Sequence, residues 1–273
     1  MPIGTSNGTA ARLGIALGIA LGVALTLVGG ALPAHAENWR PTREDRLHVQ
    51  LSGDLVIPLW STLVEIDGLE SDPADVARIH ATGRRAVCYL SAGSAEQYRQ
   101  DLALLPSSVI GQPLVGWPDE RWLDVRQLAV LLPWMQARIQ VCADKGFDAV
   151  EFDNVDSYAH ETGFNISRAQ QRRYLVALSQ MARDAGLSPG LKNAPELAPA
   201  ISSAFDWALL EECVQDDFCG RYTAFIDAGA PVFDVEYTTF TTRACQVGRT
   251  YGVHVQFTTV ALDGATRPCR RLS

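Results

Sequence analysis

The chain has 273 residues, 31 of them acidic against 23 basic, for a formal net charge of −8. That balance lacks the basic stripes on which nucleic-acid binding depends, so no nucleic-acid partner is expected. The five histidines show no HxH or HExxH spacing and the six cysteines no CxxC, so neither a metal nor a cofactor is expected.

The first 36 residues read as a leader. Arg12 is their one charge, residues 13–32 are Leu, Ala, Ile, Gly, Val and Thr, and Ala34-His35-Ala36 has the small-x-small form of a cleavage site. A secreted protein is therefore expected, with a signal peptide at 1–36 and one domain at 37–273. The alternative is an uncleaved anchor, because about 20 apolar residues can span a bilayer. After cleavage no stable membrane association is expected, and the mature chain is expected to act as a monomer. Export also suits disulfides. Cys213 and Cys219 are close enough for a local staple, and Cys245 and Cys269 could tie down the tail. For Cys88 and Cys142, in apolar segments, buried thiols are the plain alternative.

Short apolar runs at 47–51 and 62–66 predict the first two strands, and a helix follows at 73–82, stopped by Gly83. A third strand at 86–90 leads to a short helix at 96–105, ended by Pro106. Residues 107–123, punctuated by Pro and Gly and carrying Trp117 and Trp122, read as a long functional loop or small insertion. A strong helical pattern at 128–145 closes at Gly146. Strands at 149–153, 187–191, 207–211, 232–236 and 253–258 then alternate with helices at 167–185, 195–203, 221–228 and 241–251. Eight strands in such an alternation predict a single-domain (β/α)8 TIM barrel of the α/β class. An open doubly wound sheet is less well supported, because no Gly-rich phosphate loop follows the first strand.

A TIM barrel carries its site at the C-terminal strand ends. Those ends hold Asp67, then Tyr89 and Ser91, then Asp153, Asn154 and Asp156, then Lys192 and Asn193, then Glu211 and Glu212, then Glu236 and Tyr237. Carboxylates crowded at one mouth raise one another's pKa, which sets an acid beside a base, as cleavage of a glycosidic bond requires. No GxSxG motif competes for a nucleophile. Glu151 shares a strand face with Asp153, one layer deeper, and reads as a supporting carboxylate. Trp117, Trp122, Tyr158 and Tyr237 are candidates for stacking on sugar; Trp134, following Pro133 in a helix, reads as core.

The segments CYLSAGSAEQYRQD (88–101), WLDVR (122–126), KGFDAVEFDNVDSY (145–158), GLKN (190–193), LLEEC (209–213) and PVFDVEY (231–237) resemble the endo-α-1,4-polygalactosaminidases of glycoside hydrolase family 114. The resemblance implies a retaining, endo-acting hydrolase of α-1,4-linked galactosamine polysaccharide, an amino-sugar polymer. It assigns Asp153 as nucleophile and Glu211 as general acid/base. It places Asp67, Tyr89, Asn154, Asp156, Tyr158, Lys192, Asn193, Glu236 and Tyr237 along the substrate cleft. Departures from the family pattern are the first strand, LHVQL, Phe152 before the aspartate, and Glu212 before the cysteine. A non-catalytic carbohydrate-binding barrel and a glycosidase tied to polysaccharide synthesis are the alternatives.

Overall fold

The computed structural model describes residues 38–269; the expected leader lies outside them. The elements in chain order are β1 (Leu47–Val49), β2 (Leu63–Asp67), α1 (Pro73–Ala81), β3 (Arg85–Ser91), β4 (Ser94–Glu96), β5 (Ile110–Leu114) and β6 (Trp117–Leu123). They continue with α2 (Leu128–Lys145), β7 (Ala149–Asp153), α3 (Arg168–Asp184), β8 (Ser188–Lys192), α4 (Ala198–Ile201), β9 (Trp207–Glu211), α5 (Thr223–Asp227), β10 (Val232–Glu236), α6 (Thr242–Tyr251), β11 (His254–Phe257) and β12 (Arg267–Pro268).

Eight of these strands form one parallel sheet in the order β1-β2-β3-β7-β8-β9-β10-β11, the curled sheet of a TIM-barrel-like fold. Among the described residues no ladder joins β1 to β11. The C-terminal segment fills that seam. β12 pairs antiparallel with β11, Thr266 bonds His48 Nδ1 in β1 at 3.2 Å, and Leu51 N and Ser52 N donate to Leu262 O at 2.9 and 3.1 Å.

Alternation along each strand divides the core in two. Leu47, Val49, Leu63, Val87, Ala149, Trp207, Leu209, Phe233 and Val235 face one another inside the sheet, while Val64, Cys88, Val150, Phe152, Leu191 and Leu210 face the helices. Gly190 makes the inner layer possible: a Cβ there would lie 2.3 Å from the Trp207 ring. The expected helix-and-loop stretch after β3 is instead a small antiparallel sheet, ordered β4-β6-β5. Its tip is the Val115-Gly116 turn, with Gly116 at φ 86°. Pro113 and Pro118 and the register shifts beside them give this hairpin a loop-like sequence. The expected helix at 96–105 survives only as a 3-10 turn, Gln100–Leu104. Helices at 195–203 and 221–228 shorten to α4 and α5, each flanked by a 3-10 turn.

All six cysteines are paired. Cys213–Cys219 and Cys245–Cys269 are the staples read from spacing. Cys88–Cys142 joins β3 to α2, where buried thiols were the plain alternative; only the packing of that helix on the sheet brings the two together.

Candidate active site

Parallel strands all present their C-terminal ends to one side, and inward alternation decides which end residues reach it. Asp67, Tyr89, Asp153, Lys192 and Glu211 are inward-phased, and all line one open cleft of about 810 Å³. The residues that follow three of these positions take left-handed backbone: Asn154 (φ 59°), Asn193 (φ 43°) with Ala194 (φ 60°), and Glu212 (φ 56°). Such conformations cost free energy outside glycine and persist where the surroundings hold them. Here Asn154 N donates to Asp153 Oδ1 at 2.7 Å, Tyr222 OH donates to Asn193 O, and Glu212 N donates to Val235 O at 2.9 Å. Gly93 leaves room for the first bend, since a Cβ on it would lie 1.6 Å from Asn154 O.

Asp153 and Glu211 have matching surroundings. Lys192 Nζ lies 3.0 Å from Asp153 Oδ1 and 3.1 Å from Glu211 Oε2. Tyr89 OH donates to Asp153 Oδ2 at 3.0 Å, and Tyr237 OH donates to Glu211 Oε1. Asn193 closes the frame, its Oδ1 accepting from Glu211 N at 2.9 Å and its Nδ2 donating to Glu211 Oε2 at 3.4 Å. Each carboxylate thus receives one phenol and a share of one ammonium. Burial, and then the neighbouring carboxylates, raise both phenol pKa values, so both tyrosines remain donors. Lys192 is itself buried, but the carboxylates around it, Asp153 first, push its pKa well up and keep it charged.

Beneath this layer lie two more acids. Glu151 is fully buried, with Oε1 3.7 Å from Lys192 Nζ, and Glu65 is buried at the cleft floor. Neither Glu151 oxygen has a hydrogen-bond partner among the described residues, nor does Glu65 Oε2. Two buried carboxylates below a cation already shared by two others cannot all be charged cheaply. Burial pushes Glu65 up to about 8 and Glu151 well above the usual carboxylate range. This is the supporting place expected for Glu151; Glu65, its counterpart on β2, escaped the sequence reading although it has the same inward phase two residues before a strand-end aspartate.

Not every residue assigned to the cleft is there. Glu236 follows inward Val235 and so points outward; it is buried, and its Oε1 accepts from Val214 N at 2.8 Å and Gln215 N at 3.4 Å. It holds the chain that follows Glu211 instead of lining the cleft. Tyr158 turns away as well, its OH donating to Glu196 at 2.8 Å, and it borders a separate shallow pocket. Asp67 reaches the cleft, but its carboxylate is held by Arg99 and by Leu69 N and Glu70 N at 2.9 and 2.8 Å. Asp156 stands on the rim, 3.0 Å from His160 Nε2, and that imidazole stacks on Trp122 with centroids 4.9 Å apart. Trp117 and Trp122 both form cleft wall, contributed by β6; Trp134 is core, as its helical position suggested. The same strand brings Glu120, which the sequence reading passed over because it lay within the apparent loop.

A family model described as glycoside-hydrolase family GH114 matches residues 30–273. The crystal structure of Ega3 from Aspergillus fumigatus, in complex with galactosamine, is 27% identical with a TM-score of 0.81, covering 86% of this chain and 98% of that one. The glycoside hydrolase domain of PelA from Pseudomonas aeruginosa has the same fold, at 15% identity and a TM-score of 0.60 over 81% of this chain and 97% of that one. An uncharacterized protein of Deinococcus radiodurans is 27% identical over 205 residues, a match covering 64% of each chain.

Proposed function

The chain belongs to glycoside hydrolase family GH114, and from that premise we propose that it is a secreted, monomeric, endo-acting hydrolase of α-1,4-linked galactosamine polysaccharide, working with retention of configuration. The observation that carries the reading is the sharing of Lys192 by Asp153 and Glu211. Laid end to end, its two contacts hold the facing oxygens to within about 6 Å of each other, a bound that admits the roughly 5–5.5 Å spacing of retaining enzymes.

In the first step Asp153 attacks the anomeric carbon while Glu211 gives its proton to the departing glycosidic oxygen. In the second, Glu211 takes a proton from water, the water oxygen attacks the same carbon, and Asp153 leaves. The two displacements restore the original configuration. Tyr89 and Lys192 hold Asp153 toward the ring; Tyr237 and Asn193 hold Glu211. The openness of the cleft suits attack within a chain, and the galactosamine bound by Ega3 favours an amino sugar as the unit.

The test is mass spectrometry of products from a panel of amino-sugar and neutral polysaccharides, with NMR of the first-formed anomer. Internal cleavage of the galactosamine polymer to α-anomeric products is expected, with none from Asp153→Asn or Glu211→Gln. A β-anomer would overturn retention, and cleavage confined to another polymer would overturn the substrate.

A further inference from the structure

Glu120 lies on β6 at the wall of the cleft, half-buried, and one of its oxygens is fixed. Ser94 Oγ donates to Oε2, and Asn154 Nδ2 lies 3.4 Å from the same atom. Ser94 is in turn tied to Ser91 Oγ at 2.6 Å, and Asn154 Nδ2 to Ser91 Oγ at 3.0 Å. Among the described residues no donor reaches Oε1, and no cation forms an ion pair with Glu120. Most other carboxylates of the cleft are differently placed: Asp67 and Glu70 have Arg99, Asp156 has His160, and Asp153 and Glu211 share Lys192, while Glu161, also without an ion pair among the described residues, is exposed to solvent. Arg99, the nearest source of positive charge, is committed to Asp67, Glu70 and Glu96.

A half-buried carboxylate without a countercharge is costly, and the cost is relieved by a cation that arrives with the ligand. The same Asn154 Nδ2 lies 3.5 Å from Asp153 Oδ2, so Glu120 Oε2 and the attacking carboxylate share one amide nitrogen and lie within about 7 Å of each other. In a 2-amino sugar the nitrogen is borne by the carbon next to the anomeric carbon. A ring placed for attack by Asp153 can therefore turn that nitrogen toward Glu120.

Resting on the amino-sugar reading above, we propose that Glu120 determines specificity by pairing through its free oxygen with the ammonium of the sugar that Asp153 attacks, selecting free amine over N-acetyl or hydroxyl at that position. N-Acetylation removes the charge and adds bulk where the salt link would form, and a hydroxyl offers only a neutral hydrogen bond. Burial first, and then Glu96 and Asp153, push the Glu120 carboxyl up to about 7 despite the Ser94 bond and the more distant charge of Arg99. That is the behaviour of an acid waiting for a positive partner.

The experiment measures binding of galactosamine, N-acetylgalactosamine and galactose by calorimetry at about pH 7.5 to the wild-type chain, Glu120→Gln and Glu120→Asp. Melting temperatures check folding, and kcat/KM is measured on fully and partly deacetylated oligomers. Glu120→Gln keeps the shape and removes the charge. We expect the wild type to prefer galactosamine to galactose about tenfold or more, the typical yield of one charge-assisted bond. Glu120→Gln should erase that preference and lower kcat/KM more on fully deacetylated oligomers, and Glu120→Asp should restore part of it. If the wild type prefers galactosamine and Glu120→Gln keeps the preference, the inference is overturned while the amino-sugar reading stands. If the wild type shows no preference for galactosamine, both fall.

Discussion

Asp153 and Lys192 end neighbouring parallel strands and meet at 3.0 Å, between Asp153 Oδ1 and Lys192 Nζ. The ammonium is buried and bridges onward to Glu211, so its removal would leave two carboxylates facing each other without a cation. Lys192→Met is therefore expected to lower kcat at least 100-fold and to destabilise the fold by about 3–5 kcal/mol, the cost of breaking a buried charge pair. Steady-state kinetics and urea unfolding measure the two effects. Activity within twofold of wild type would overturn the bridging role.

The buried acids below Lys192 predict how stability depends on pH. In the unfolded chain a glutamate loses its proton near 4.5, whereas burial holds the Glu65 proton up to about 8. Between those values the folded state binds more protons than the unfolded state, so stability falls as pH rises through the window. Below it the contribution is level. Glu65→Gln removes the titration, so its stability should change less between pH 5 and pH 8 than that of wild type, by on the order of 3 kcal/mol. Urea midpoints at the two pH values decide it, and equal pH dependence in both proteins would refute the assignment.

Glu236 is expected to behave as a structural anchor. Its outward carboxylate receives Val214 N and Gln215 N, directly beyond Glu211. Glu236→Ala leaves those donors without their acceptor, which should cost about 1–3 kcal/mol and lower kcat by misplacing Glu211. KM should stay within twofold, because no substrate contact is lost. A large rise in KM with unchanged melting would return Glu236 to the substrate.

Trp117 supports a different split. Half its surface is exposed, and it forms part of the cleft wall on the hairpin. Stacking of a sugar or its ammonium on this ring is worth about 1 kcal/mol. Trp117→Ala should raise KM for long oligomers about fivefold, with little change in kcat or melting temperature. Unchanged kinetics on every chain length would remove Trp117 from the binding surface.

The strands were legible because each is a short apolar run closed by polar residues; those at 149–153, 207–211 and 232–236 have the bounds expected for them. The motif order was enough to identify the family. The same reading lost the hairpin carrying Trp117 and Glu120, because Pro113, Gly116 and Pro118 are loop signals and the sheet they interrupt is held by pairing with distant β4.

By itself, then, the sequence determined the eight-strand alternation, the family and the two carboxylates that end strands four and six of the barrel. Tertiary structure decided which polar residues meet. Strand phase turned Glu236 outward and Glu65 inward, and helix packing joined Cys88 to Cys142. Folding of the hairpin over β7 brought Glu120 to Asn154. The physical reason is that strand formation is written in local hydrophobic pattern, whereas the charge balance around Lys192 depends on which distant side chains a curled sheet turns toward the same few ångströms.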